Sequence, residues 1–161
     1  MTHQFDTVTI RPNPLQYLID NWIGIVAFVA IVIYAGADDR DMSPFAIMGI
    51  VLLGIYLILE FVALKRKVFV ISSETLLYDR GIFSRSADYI ELYRVVDFQE
   101  RQSFLQQIVG LKTVIVYSGD RTTPQLHIPG LEYRSCIIEE MRRRVEYNKT
   151  RRGVYEITNR I

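Results

Sequence analysis

Cysteine and histidine are almost missing from this chain of 161 residues. Cys136 is the only thiol, so no internal disulfide forms, as expected of a domain in a reducing compartment. His3 and His127 are the only imidazoles, too few beside one thiol to build a transition-metal site. Glycine motifs that cradle phosphate are missing too: there is no G-x-x-x-x-G-K-[ST], and no G-x-G-x-x-G after a strand. A nucleophilic pair of Cys136 and His127 is disfavoured. Cys136 falls on a helix whose neighbours pack inward, and His127 alternates outward from Leu126 and Ile128. Nothing marks Asp97, Glu100 or Glu91 as a general acid or base, and they read as surface carboxylates. No enzyme activity, catalytic residue, cofactor, metal or small-molecule substrate is expected.

Positive charge is scarce in the front of the chain. Residues 1–64 hold only Arg11 and Arg40 against six acids, a net of −4, while residues 65–161 hold 17 Lys/Arg against 12 acids, a net of +5. Half of the residues are hydrophobic although 23% are charged, a combination that fits if the apolar residues are concentrated in one region. They are. Trp22 to Ala37 runs sixteen residues without a charge. As a helix it spans about 24 Å, short of a hydrocarbon core of about 30 Å unless Leu15–Asn21 extends it. Phe45 to Leu64 is a full-length span of twenty residues with one charge, Glu60. Helices apolar on every side need more surrounding protein than this chain supplies, so a membrane hairpin over residues 15–64 is expected. A cleaved signal peptide ending near Ala35-Gly36-Ala37 is disfavoured, because the long leader carries Asp6 and Asp20 against Arg11.

The loops set the orientation. Asp38, Asp39, Arg40 and Asp41 lie between the spans, and Lys65-Arg66-Lys67 follows the second. The positive-inside rule puts the triplet in the cytoplasm, and two spans return the N-terminus to the same side. Trp22, Tyr34 and Tyr56 suit interfacial anchors, and Pro44 after Ser43 suits a helix start. Glu60 is the one intramembrane carboxylate, a type often tied to function. Folding the hairpin sets Glu60 level with Asn21 and Asp20, close to Lys65. It is expected near the cytoplasmic interface, bonded to Asn21 or reaching the headgroups, rather than on an ion path. Neither span carries G-x-x-x-G.

After Lys67 the pattern changes to short β-type runs: Val68–Ser72, Thr75–Tyr78, Tyr89–Tyr93, Val96–Gln99, Lys112–Ser118 and Leu126–Ile128. Turns at Asp79-Arg80-Gly81, Gly119-Asp120 and Pro129-Gly130 separate them. This spacing predicts an antiparallel sandwich or barrel of about seven strands. Ser103–Val109 reads as a short helix closed by Gly110. Tyr133–Tyr147 is an amphipathic helix, with Tyr133, Ile137, Met141 and Val145 on one side and Arg142, Arg143 and Arg144 on the other. The tail from Asn148 is basic and weakly patterned, with Val154–Ile157 as a possible short strand.

Three stretches carry a family likeness: Leu77–Phe83 (LYDRGIF), Ile90–Asp97 (IELYRVVD) and Gln102–Val114 (QSFLQQIVGLKTV). The sequence resembles the bacterial pleckstrin-homology (PH)-like domains of two-span membrane proteins, the YdbS-like group. Tyr93, Arg94 and Asp97, followed by Gln102, Leu105 and Gly110, are the motif positions. The resemblance covers roughly residues 10–146 and implies a PH-like barrel capped by a helix, with no enzyme activity.

The expected organisation is a cytoplasmic leader (1–14), a transmembrane hairpin (15–64), a PH-like domain (65–147) and a basic tail (148–161). The chain is then a multi-pass protein of the bacterial cytoplasmic membrane. It is a non-enzymatic module that binds another membrane protein or assembles with its own copies. The alternatives are recognition of anionic lipid headgroups by Lys65, Arg66, Lys67, Arg142, Arg143 and Arg144, or a channel or transporter subunit using Glu60. Nucleic acid is not an expected partner, since no reading element is present.

Overall fold

The computed structural model describes residues 5–36 and 44–154. The chain begins with strand β1 (Val8–Ile10), followed by helices α1 (Leu15–Asp20), α2 (Trp22–Gly36) and α3 (Pro44–Arg66). Strands β2 (Val68–Ile71), β3 (Thr75–Arg80) and β4 (Ser86–Glu91) come next. A 3₁₀ turn over Leu92–Arg94 leads to β5 (Val95–Arg101), and α4 (Phe104–Val109), β6 (Leu111–Ser118), β7 (Gln125–Glu132) and α5 (Ile137–Arg151) complete the order.

Two antiparallel sheets result, ordered β1-β2-β3-β4 and β5-β6-β7. Alternation along β2 drives Phe69 and Ile71 inward, and the same period buries Leu76, Ile90, Val114, Val116 and Ile128 between the sheets. Met141 and Val145, one turn apart on α5, close the open end of this core. Each such side chain contributes about 1.5–3 kcal/mol by leaving water. The expected mainly-β fold with a C-terminal helix is therefore present.

The seventh strand lies where the sequence predicts a leader. Within the stretch expected as leader, Val8, Thr9 and Ile10 pair with Ile71, Val70 and Phe69. Three residues carry too little pattern to announce a strand, and β2 supplies the edge that holds them. The helices are thus an insertion between two hydrogen-bonded strands.

Within the insertion, α2 and α3 pack antiparallel. Leu57 Cδ2 approaches to 3.3 Å of the place where a Cβ on Gly24 would sit, and Phe28 Cε2 to 3.4 Å of that place on Gly54. α3 is long and apolar enough to cross a membrane, whereas α2, at 15 residues, is apolar but shorter. The expected extension of α2 back through Leu15 is broken at Asn21, whose backbone leaves the helical region at φ −114° and ψ 16°. Its side-chain Nδ2 donates to the Tyr17 carbonyl at 3.3 Å, a local bond of the kind that lets Asn interrupt helices. α1 is instead tied to α3, with the Tyr17 hydroxyl donating to the Leu57 carbonyl at 3.0 Å and the ring meeting Phe61 edge-on at 5.3 Å. Pro44 opens α3 as expected. The Ala37–Ser43 loop, with its acids and the Ser43 cap, lies outside the described residues.

Three further boundaries move. The run expected to be extended to Tyr93 leaves strand geometry after Glu91, where the 3₁₀ turn begins. The last helix begins at Ile137 rather than Tyr133, because β7 continues to Glu132 and the Tyr133 amide is taken by the Gly110 carbonyl at 2.9 Å. That helix also runs past Tyr147 into the expected tail. Asn148 is 2% exposed and donates to the carbonyls of Ser73 and Arg144.

Candidate functional site

The two sheets leave β1 and β4, and β5 and β7, as edge strands, and β5 borders a groove against α5. β5 pairs only with β6, so its other side offers unpaired backbone groups. The register skips Val96 between Val95 and Asp97, a bulge of the kind that re-aims side chains at sheet edges. Val96 is accordingly 66% exposed. Between this edge and α5 lies an open groove of about 400 Å³, lined by Val96, Asp97, Phe98, Arg142, Val145 and Lys149 among others. Its lining combines apolar side chains with both signs of charge. Asp97 Oδ1 accepts from the Phe98 amide at 2.7 Å.

Arg144 fastens α5 to the first sheet. This guanidinium is 1% exposed and donates to four acceptors: the carbonyls of Ile71, Ser72 and Asp6 at 3.0, 3.0 and 2.7 Å, and Glu140 Oε1 at 2.8 Å. The planar fork of arginine suits such a set of divergent acceptors. Arg144 therefore does not belong to the predicted lipid-facing trio, because the carbonyls of Ile71, Ser72 and Asp6 converge on it. Arg142 and Arg143 remain exposed, and Arg143 pairs with Glu140. The Arg144 hydrogen bond, followed by the charges of Arg143 and Arg144, holds the Glu140 carboxyl below its usual range.

The motif positions turn out to shape the scaffold. Arg94 Nε donates to the Tyr93 hydroxyl at 3.0 Å, with Glu91 at 3.6 Å and Asp120 at 3.7 Å from its guanidinium. The Tyr93 hydrogen bond, before either carboxylate, raises the Arg94 pKa. The Arg94 carbonyl accepts from Gly119, so this residue pins the β6–β7 turn. Arg152 lies over the Tyr93 ring at 4.2 Å, and Arg151 reaches Glu74 at 2.6 Å. Gln102 Nε2 donates to the Leu111 carbonyl at 2.7 Å. Ser103 and Gln106 form a reciprocal capping box, and Gly110 ends α4 at φ +70°. Leu105 is half-buried on α4. Arg94 and Asp97 take different partners.

Sequence reasoning missed one buried polar cluster. Gln106 Nε2 donates to Gln16 Oε1 at 2.9 Å and to Thr113 Oγ1 at 2.8 Å, while Gln16 Nε2 donates to Asp20 at 2.7 Å. It joins α1, α4 and β6 across 90 positions, and only the capping-box pattern hinted at part of it. Glu60 is exposed on α3, and Asn21 spends its amide on Tyr17, so the expected Glu60–Asn21 bond is not the one formed. Lys65 lies over Phe61 at 5.2 Å, Arg66 is exposed and Lys67 half-buried.

His127 is exposed on β7, and Cys136, also exposed, precedes α5 beyond the end of that strand. Glu132 lies five positions beyond His127 on β7, about 16 Å along the strand, so strand and turn carry His127 and Cys136 apart. His3 lies outside the described residues. Among the described residues no cluster of three His, Cys, Asp or Glu is placed to hold a metal ion.

No curated protein and no solved structure matches the chain significantly. The family described as Bacterial PH domain matches residues 21–149. With the two sheets, the capping helix and that match over most of its length, the chain belongs to the bacterial PH domain family.

Proposed function

We propose that this PH-like domain is a non-enzymatic interaction module held at the cytoplasmic face of the bacterial membrane. α2 and α3 form its two-span anchor, as in the YdbS-like group. The position of the helices supports the anchor. They leave the sheet at Ile10 and return at Val68, and Ile10 pairs with Phe69. Neighbouring strands lie about 4.8 Å apart, so both ends of the insertion meet the membrane from one side, as an even number of crossings requires. Lys65, Arg66 and Lys67 at the return point favour the cytoplasmic side.

The domain engages an extended segment of a partner membrane protein, which adds as a strand along β5 and sets alternate side chains in the groove against α5. The single observation in favour is the unpaired, bulged β5 edge beside that groove. A photo-crosslinking residue at Val96 of the full chain in intact cells tests it. Protein adducts that vanish in Asp97→Pro, which removes a strand amide, are the expected result. Membrane-inserted chain that yields only lipid or no adduct at Val96 refutes the docking.

A further inference from the structure

We propose that the domain is seated on the bilayer surface by two apolar prominences that flank the exits of its helices. These are Phe83 at the tip of the β3–β4 turn, and Phe104 with Ile108 on α4. The proposal rests on the membrane-anchored reading above.

The first prominence follows from strand register. β2 begins two residues after α3 ends, Val68 pairs with Asp79, and Arg80 pairs with Ser86. The turn from Gly81 to Arg85 therefore projects past the point where α3 delivers the chain to the sheet, and β3 lies against α3 there. At Gly81 the φ of +126° and the Ser84 carbonyl oxygen, which would overlap any Cβ, admit no side chain. Phe83 at its tip is 91% exposed. Arg80 and Arg85 sit at its base, paired with Asp88 and Asp79 at 3.4 and 3.7 Å and still largely open to solvent.

The second prominence is placed by the glutamine cluster. Gln106 on α4 bonds to Gln16 on α1, and α1 is clasped to α3 between Tyr17 and Leu57. Tyr17 lies beside Phe61, so Gln16, the preceding residue, lies within about one helical turn of Leu64 and Lys65, where α3 ends. α4 is thereby fixed at that level. Phe104 and Ile108, at i and i+4, share its outward face and are 75% and 67% exposed. Leu15 and Leu18 on neighbouring α1 are 43% and 50% exposed.

In water such a collar of large apolar groups, at one end of an otherwise well-packed domain, marks an interaction surface. At the depth of Lys65 to Lys67 the occupant is the headgroup and upper acyl region of the same bilayer. Aromatic and branched side chains insert there, and each flanking Lys or Arg gains about 1 kcal/mol from anionic lipid. The consequence is orientation. Two contacts on different sides of the helix exits stop the domain from tilting and present the β5 edge to the cytoplasm at a set angle.

Environment-sensitive fluorophores on single cysteines test this in the full chain, in a Cys136→Ser background. The vesicles contain phosphatidylcholine and phosphatidylglycerol, with bromines on the acyl chains for quenching. Probes at Phe83→Cys and Phe104→Cys are expected to emit blue-shifted light and to be quenched by the bromolipid. A probe at Thr150→Cys, beside the far end of α5, is expected to stay aqueous. Aqueous emission at 83 and 104, with a Val51→Cys probe on α3 quenched by the bromolipid, overturns the seating while leaving the anchor intact. Aqueous emission at position 51 as well overturns both. Probes shielded from iodide but untouched by bromolipid place a second copy of the chain there and also overturn it.

Discussion

The guanidinium of Arg144 donates to the carbonyl oxygen of Asp6 at 2.7 Å, joining positions 138 residues apart. That bond ties the C-terminal helix to the stretch that leads into β1, across the outside of the helical insertion. The Asn148 amide on the Ser73 carbonyl at 2.7 Å and the Phe5 ring against Tyr147 at 5.6 Å strengthen the same seam. The domain is closed by its own last helix.

Arg144→Leu is expected to destabilise the domain by about 3 kcal/mol, the cost of breaking a buried charge pair and stranding its acceptors. Arg144→Lys recovers part of that, because an ammonium keeps the charge but not the fork. Thermal unfolding of the full chain in detergent measures both. Equal stability of Arg144→Leu and the parent removes the seam as a structural element.

Acid loosens the same seam. Glu140 titrates below its unfolded range, mainly because Arg144 donates to it. Its stabilisation is therefore complete above the unfolded carboxylate value of about 4.3 and is lost as pH falls through the lower folded value. Melting temperature measured from neutral pH downward should drop below about pH 4.3, and Glu140→Gln should show a shallower drop.

Gln106→Leu strands Gln16, which is 4% exposed, and is expected to cost about 1–3 kcal/mol. Removing both amides in Gln16→Leu/Gln106→Leu should cost less than the sum of the single changes, since neither group is then left unpaired. A double-mutant cycle on denaturant midpoints reads the coupling. Strict additivity means that the two glutamines do not act on each other.

Gly81→Ala forces a side chain into a left-handed position already occupied by the Ser84 carbonyl. The expected loss is about 1–3 kcal/mol, seen as a lower melting temperature. Protease cleavage near Ser84 should also rise as the turn opens.

Much of this organisation is visible from local pattern. Alternation in Val114 and Val116 announces a strand wherever it is placed, and Ser103, Gln106 and Gly110 specify a short helix with both ends capped. The charge-free runs, the basic triplet and the motif from Tyr93 to Gly110 mark an apolar helical segment ahead of a PH-like domain. What stays hidden has non-local causes. Val8–Ile10 is a strand because β2 offers an edge, and Arg144 sits inside because three carbonyls converge on it, though its neighbours Arg142 and Arg143 face water.

By itself, then, the order of residues determines which of the longer segments are helical, extended or apolar enough to leave water, because those depend mainly on neighbours within a few positions. Which polar groups are sheltered, which edge stays unpaired and which apolar side chains share the level of the helix exits are decided only when distant segments meet. A hydrogen-bond partner or a covering surface is supplied by the fold, and no spacing along the chain encodes it directly.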